Sequence, residues 1–168
     1  YYAPLDMITK GGSFRWGRRF KWPDDYFRGS WSFTAHQRTY EADSEDQLQL
    51  YTGGLNETVG VSITQSISRD SRDHPEFPTI GSLMAVSSSI SGGPLGGNED
   101  FHKHVLNLEW YTPTVWKFVL MSSVKIGGIK TLPSGDNERS MVPFNERFIM
   151  GGSGMVYGNP LRGYEDNL

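Results

Sequence analysis

The chain has 168 residues, a mass of 18.9 kDa and a formal net charge of −3, which is the length of one domain without the basic excess of nucleic-acid binding proteins. The absence of cysteine excludes disulfides, thiolate metal sites and cysteine nucleophiles. No run of about 18 apolar residues occurs, which excludes a membrane-spanning helix, whereas a membrane β-strand needs only about 9–11 residues.

Six segments are predicted to be β-strands because apolar and polar residues alternate along them with a period of two. The pattern is clearest where Phe27, Trp31 and Phe33 alternate with Arg28 and Ser32. The threonine and aromatic content also favours strands over helices. The predicted fold class is therefore all-β and antiparallel, with strands at about residues 13–20, 26–40, 57–69, 81–91, 102–111 and 116–130.

The connections alternate in length, which gives the predicted sheet two different ends. Short connections span residues 21–25 and 112–115, whereas residues 41–56, 92–101 and 131–168 form long ones. Short turns, long loops at the opposite end, interfacial aromatic residues and a polar interior are features of an outer-membrane β-barrel. The short-turn end carries the aromatic residues that are predicted to lie at the membrane interface, namely Trp22, Tyr26, Trp110, Tyr111 and Trp116.

The same alternation would also suit a soluble β-sandwich or a lipocalin-like barrel, in which one face meets a core and the other meets water. Six strands are too few to close a membrane barrel, since the smallest known ones have about eight. The start without Met or an export signal and the loop-like residues 159–168 also lead us to expect a fragment of a longer protein. The glycine-rich residues 92–97 are expected to form a flexible loop.

The most specific motif lies near the end of the sequence. It reads PFNERFIMGG over residues 143–152 and continues as LRGYEDN over residues 161–167. This segment resembles the long external loop of the BamA-type insertases, a family with periplasmic POTRA domains followed by a β-barrel. Residues 17–27 and 70–82 resemble strand–turn–strand segments of the same family, so the resemblance covers nearly the whole chain.

The resemblance implies that residues 1–168 are part of one outer-membrane barrel domain of about sixteen strands, with an external loop over residues 131–168 that folds into the lumen. Its arginine would dock on the inner barrel wall, where a guanidinium forms directed hydrogen bonds and bidentate carboxylate pairs. The loop motif would comprise Leu161, Arg162, Gly163 and Tyr164. The base of the loop would be supported by Phe144, Glu146, Arg147, Phe148, Gly151 and Gly152.

The resemblance further implies a non-enzymatic function in the bacterial outer membrane, namely folding and insertion of β-barrel proteins as the central subunit of the barrel-assembly machinery. The expected partners are unfolded outer-membrane protein substrates, accessory assembly lipoproteins and outer-membrane lipid, and no cofactor is expected. Two alternatives stay open. One is a related pore that secretes polypeptides, and the other is a soluble ligand-binding β-barrel with large apolar residues on its inward face.

Two side-chain pairs suggest chemistry without indicating a site. Asp24 and Asp25 follow Pro23 in a tight connection, where aspartate favours turns by accepting hydrogen bonds from backbone amides. His102 and His104 share one strand face and could ligate a metal, yet a third ligand has no obvious supplier. No nucleophile motif or phosphate-binding loop occurs, so no catalytic residue and no metal site are predicted.

Overall fold

The computed structural model describes residues 6–42, 44–132, 142–143, 146–150 and 158–159. Six long strands form one antiparallel sheet in which each strand pairs with the next along the chain. A short helix lies between the second and third strands, and two further strands of two residues each pair in parallel. The elements are β1 (Asp6–Arg19), β2 (Phe27–Glu41), α1 (Glu45–Thr52), β3 (Glu57–Asp70), β4 (Gly81–Ser91), β5 (Phe101–Pro113), β6 (Val119–Thr131), β7 (Ile149–Met150) and β8 (Gly158–Asn159).

The predicted all-β, antiparallel fold is confirmed, but two strand ends differ from the prediction by three residues or more. β1 begins at Asp6 rather than at residue 13, because its ladder with β2 continues without interruption to the pair Asp6–Glu41. Gly11 and Gly12 interrupt the alternating pattern of side chains there, yet backbone pairing keeps the segment extended. β6 begins at Val119 rather than at residue 116, because the residues before it form the tight β5–β6 turn.

The long connection after β2 contains helix α1, which the strand pattern did not predict. Glu45 and Asp46 lie in its first turn, where negative charge is favourable beside the unpaired N–H groups of a helix N-terminus. The helix ends before Gly53 and Gly54, which adopt positive φ angles of 66° and 85°. Thr52 is buried, so the connection is a packed element rather than an extended loop.

The side chains of the sheet alternate between two chemically different faces, because successive strand residues point to opposite sides. In β2, Ser32, Thr34 and His36 lie on what we call the polar face, and Trp31 and Phe33 lie on the apolar face. The register extends the polar face through Thr64, Ser66, Ser87, Ser89 and Lys103, and the apolar face through Phe14, Ile63, Val86, Leu106 and Ile126.

The described loops cover the polar face and leave the apolar face open. Glu99 and Glu146 come from two different connections, and both line the space over the polar face. Phe14 and Ile126 on the apolar face remain 70% and 59% exposed. A soluble ligand-binding barrel requires the reverse arrangement, with apolar side chains on the enclosed side. A bilayer, in contrast, is a medium that covers an outward apolar face of this kind.

Candidate functional site

A concave space of about 410 Å³ lies over the polar face. Small hydroxyl side chains form its floor, and one cross-strand pair is Thr64 Oγ1 donating to Ser89 Oγ at 2.9 Å. Cationic side chains of Arg15, Arg38 and Lys103 line the same space. Short hydroxyl groups leave room for water and for a loop, and they have the polarity of the interior of an outer-membrane barrel.

A buried carboxylate holds the β4–β5 connection against the polar face. Glu99 is only 1% exposed, and Arg38 Nη1 and Thr58 Oγ1 each donate to its Oε1 at 2.8 Å. The Nε2 atom of His36 lies 3.1 Å from the other carboxylate oxygen, Oε2. Removing a charged group from water is unfavourable unless directed partners replace the solvent, and Glu99 has three such partners. We call Glu99, Arg38, Thr58 and His36 the Glu99 cluster.

The β4–β5 connection is ordered by its glycines and by pairing with β3, which corrects the expectation of a flexible loop. The amide of Asn98 donates to the carbonyl of Val59 at 3.0 Å, and the amide of Val59 donates back to Asn98 Oδ1 at 2.8 Å. Gly97 has a φ of 99°, and a Cβ atom there would collide with the carbonyl of Val59. Only glycine fits this close approach, so the connection continues the edge of β3 and positions Glu99.

The segment before β7 contacts the polar face on β5 and β6. Lys103 Nζ donates to the backbone carbonyl of Glu146 at 2.9 Å and to its carboxylate at 3.1 Å. The same ammonium lies 5.1 Å from the ring centroid of Phe148, and that ring covers the backbone of Gly127. Glu146 and Phe148 thus contact the sheet at β5 and β6, and their loop-base role stays a prediction. Arg147 is exposed, and its Nε donates locally to the carbonyl of Val142 at 3.1 Å.

Several predicted loop residues fall outside the described part of the chain. These are Phe144, Gly151 and Gly152 of the loop base and Leu161, Arg162, Gly163 and Tyr164 of the loop motif. Their roles therefore stay predictions.

The predicted interfacial aromatic residues lie at the short-turn end of the sheet, and four of them are exposed: Trp22 (85%), Tyr26 (48%), Trp110 (42%) and Trp116 (85%). The Tyr26 ring lies 5.4 Å from the guanidinium carbon of Arg69. Asp24 accepts a hydrogen bond from Arg69 Nε at 2.9 Å and another from the Tyr26 amide at 3.0 Å. Asp24 is therefore a turn-forming residue that ties the β1–β2 connection to β3.

Tyr111 differs from this group. It follows Trp110 directly in β5, so its side chain points to the opposite, polar face. Its hydroxyl donates to Glu109 Oε2 at 3.0 Å. An interfacial position is therefore wrong for Tyr111, because the strand alternation that exposes Trp110 turns Tyr111 inward.

The β3–β4 connection at the same end forms a turn around Asp73. The hydroxyl and the amide of Thr79 both donate to the Asp73 carboxylate, and the amide of Ile80 donates to Oδ1 at 3.2 Å. These hydrogen bonds favour the ionised form and hold the pKa of Asp73 well below its ordinary range. The carboxylate consequently stabilises the turn at neutral pH.

Two parts of the site were missed from the sequence. His36 and Arg38 lie on the polar side of an alternating strand, but nothing in the sequence pairs them with Glu99, which lies 61 residues beyond Arg38. Lys103 and Gly127 were likewise unassigned, because their contacts come from a segment beyond β6. The period-two pattern predicts which face of the sheet these residues occupy, but their partners depend on contacts between segments that are far apart in the sequence.

Two absences hold for the described residues only. No three histidine or acidic side chains there converge as metal ligands, and the rings of His102 and His104 lie 5.3 Å apart on the apolar side of β5. No helix among these residues is long and apolar enough to cross a membrane.

An antiparallel sheet with an exposed apolar face, a loop-covered polar face and aromatic residues at its short-turn end defines a wall segment of an outer-membrane β-barrel. The Omp85 superfamily domain matches residues 2–167, and the chain belongs to this superfamily. The outer membrane protein assembly factor BamA of Nitratidesulfovibrio vulgaris is a relative that is 28% identical over 160 residues. That match covers 94% of this chain and 19% of the relative, so the chain spans about a fifth of the relative's length.

Superfamily membership confirms the predicted family and the predicted location in the outer membrane of Gram-negative bacteria. The relative is named as an assembly factor, which agrees with the prediction of a non-enzymatic protein.

Proposed function

We propose that this chain is the wall segment of a barrel that folds and inserts other β-barrel proteins into the outer membrane without covalent chemistry. The observation that carries the proposal is the match of 94% of the chain to a relative named as an outer membrane protein assembly factor. The expected substrates are unfolded outer-membrane proteins, and accessory assembly lipoproteins are expected partners. In such a mechanism, an open barrel edge pairs with incoming strands through backbone hydrogen bonds.

The described residues support a structural part in this mechanism. The Glu99 cluster fixes the β4–β5 connection, and the Lys103–Glu146 contact holds the start of the following loop against β5. A rigid wall is what a neighbouring loop needs for a defined docking position, because ordering both partners on contact would cost conformational entropy. We propose that Arg162 docks on the inner wall and that Leu161, Gly163 and Tyr164 shape the turn that presents it.

The test is an Arg162→Ala substitution in the full-length protein that contains this wall segment, which we call the parent protein. Arg162→Lys is the matched control. Lysine keeps the charge but lacks the planar fork that binds a carboxylate through two hydrogen bonds. The measurement is the fraction of a reporter outer-membrane barrel that reaches its folded, heat-modifiable form at equal abundance of the parent. We expect both variants to reduce reporter folding, alanine more than lysine, while the parent barrel itself stays folded. Unchanged reporter folding in both variants would contradict the role of Arg162.

A second candidate is a related pore that secretes polypeptides, and the hydroxyl-lined space over the polar face favours it. Such a pore would leave reporter folding unchanged when Arg162 is replaced and would instead lose export of its own secreted polypeptide. Measuring both outputs in the same cells separates the two functions.

A further inference from the structure

Three nitrogen-bearing side chains lie together on the apolar side of β5 and β6, at the end opposite the short turns. His102 pairs directly with Lys130, and His104 pairs with Gly128 two residues further along the ladder. The His102 and His104 rings lie 5.3 Å apart, and His104 Nδ1 lies 2.9 Å from Ser88 Oγ. Ile90, Leu106 and Ile126 lie nearby on the same face, so these nitrogen-bearing side chains interrupt a mainly apolar part of that surface.

The position of these side chains along the strands indicates which part of the membrane they face. Leu106, Leu108 and Trp110 continue the same face of β5 toward the short-turn end. Trp110 and His102 are eight residues apart, which is about 27 Å along a strand and about 20 Å along the membrane normal at the usual barrel tilt. An outer-membrane barrel has an apolar band about 25 Å tall. With Trp110 at the inner boundary, His102 and its partner Lys130 lie near the outer boundary of that band, and His104 lies about 5 Å below them.

The shape and the charge of this surface both suit an anion. A side chain at Gly128 would meet no atom within 4 Å, so an open notch separates His104 from Lys130. Lys130 is exposed and forms no salt bridge with any described residue. The register neighbours of the two histidines on β4 are Ile90 and Ser88, neither of which is acidic. An ammonium at the level of lipid headgroups finds its counter-charge in phosphate groups.

We propose that Lys130, His102 and His104 bind the phosphate group of a lipid headgroup in the outer leaflet, with Gly128 as the floor of the site. The inference rests on the proposed function in an outer-membrane barrel, whose short turns face the periplasm. Lys130 supplies the charge, and the histidine N–H groups supply directed hydrogen bonds. The bound headgroup would fix the β5–β6 part of the wall in the membrane plane.

The test uses the whole parent barrel in nanodiscs of phosphatidylcholine that contain lipid A, a diphosphorylated glycolipid. Lipid A that stays with the protein after exchange into detergent is quantified by native mass spectrometry. Lys130→Gln should weaken retention roughly fivefold, because one cation near headgroups contributes about one kcal/mol. The triple variant with His102→Gln and His104→Gln should weaken it further.

Two controls make the outcome specific. Lys125→Gln changes a lysine of the same strand on the polar face, so it should leave retention unchanged. Dephosphorylated lipid A should be retained equally by the wild type and the triple variant. Equal retention of lipid A by the wild type and the triple variant would overturn the proposal, and so would an equal loss in Lys125→Gln. Lipid retention is measured without a folding substrate, so its failure is distinguishable from failure of the assembly function.

Discussion

Replacing Glu99 by alanine should strongly destabilise the parent barrel. The substitution leaves the Arg38 guanidinium and the fully buried Thr58 hydroxyl without their common acceptor. Breaking a buried ion pair by removing one partner costs about 3–5 kcal/mol, because the remaining charge stays desolvated. Glu99→Gln keeps one oxygen acceptor but loses the charge, so about 1.5–3 kcal/mol is expected.

The assay is urea unfolding of the purified parent barrel in detergent, followed by loss of its heat-modifiable band and extrapolated to water. The informative comparison is a double-mutant cycle with Arg38→Met and Glu99→Leu, since removing both charges eliminates the unpaired one. The double variant should therefore be more stable than the sum of the two single changes predicts, by about 1–3 kcal/mol. A loss below about 1 kcal/mol for Glu99→Ala, or additive single changes, would refute the account of a buried, coupled cluster.

Two further perturbations test the loop base and the β3–β4 turn around Asp73. Lys103→Met keeps much of the side-chain length but removes the donor to Glu146, so protease cleavage near Glu146 should be faster in Lys103→Met than in the wild type. Equal cleavage of the two proteins would contradict the role of this contact. Because folding lowers the pKa of Asp73, its stabilisation of the turn is present above the ordinary carboxylate pKa and is lost as pH falls through the lower folded value. Asp73→Asn should therefore speed hydrogen exchange of the Thr79 amide at neutral pH, and equal exchange in both proteins at neutral pH would contradict the turn assignment.

The sheet was predictable because its faces differ so strongly in polarity. A period of two assigned Phe33 and Thr34 to opposite faces, and a one-residue slip would have reversed every assignment in β2. The start of β1 was not predictable, because glycines and Lys10 give no alternation and the ladder with β2 alone keeps the segment extended. Helix α1 was not predicted for a related reason, because eight residues are too few for a helical pattern to be recognised.

Only the part of the candidate site that lies within a local sequence motif could be predicted. The family motif indicated Glu146 as a loop-base residue, and the structure places that residue against Lys103. No local signal identified Glu99, because a glycine-rich segment that ends in two acidic residues resembles any flexible loop. Its importance comes from burial against two strands that precede it by dozens of residues, which depends on tertiary structure.

The two faces of the sheet are stabilised by different kinds of interaction. On the apolar face, Trp16 stacks on Trp31 with ring centroids 4.9 Å apart, and both rings lie where lipid chains would cover them. On the polar face, directed hydrogen bonds of Glu99 and Lys103 replace the apolar packing of an ordinary core. The wall is therefore held by backbone ladders within the sheet and by a few charged contacts to its loops.

The most direct test of the proposed function is reconstitution of the full-length parent protein in liposomes with an unfolded reporter barrel and no nucleotide. The account predicts that the reporter gains its heat-modifiable, protease-resistant form faster than in liposomes without the parent, and that Arg162→Ala removes most of this gain. Equal reporter folding with and without the parent, together with passage of a polypeptide into the liposome lumen, would contradict the assembly function and assign the barrel to secretion.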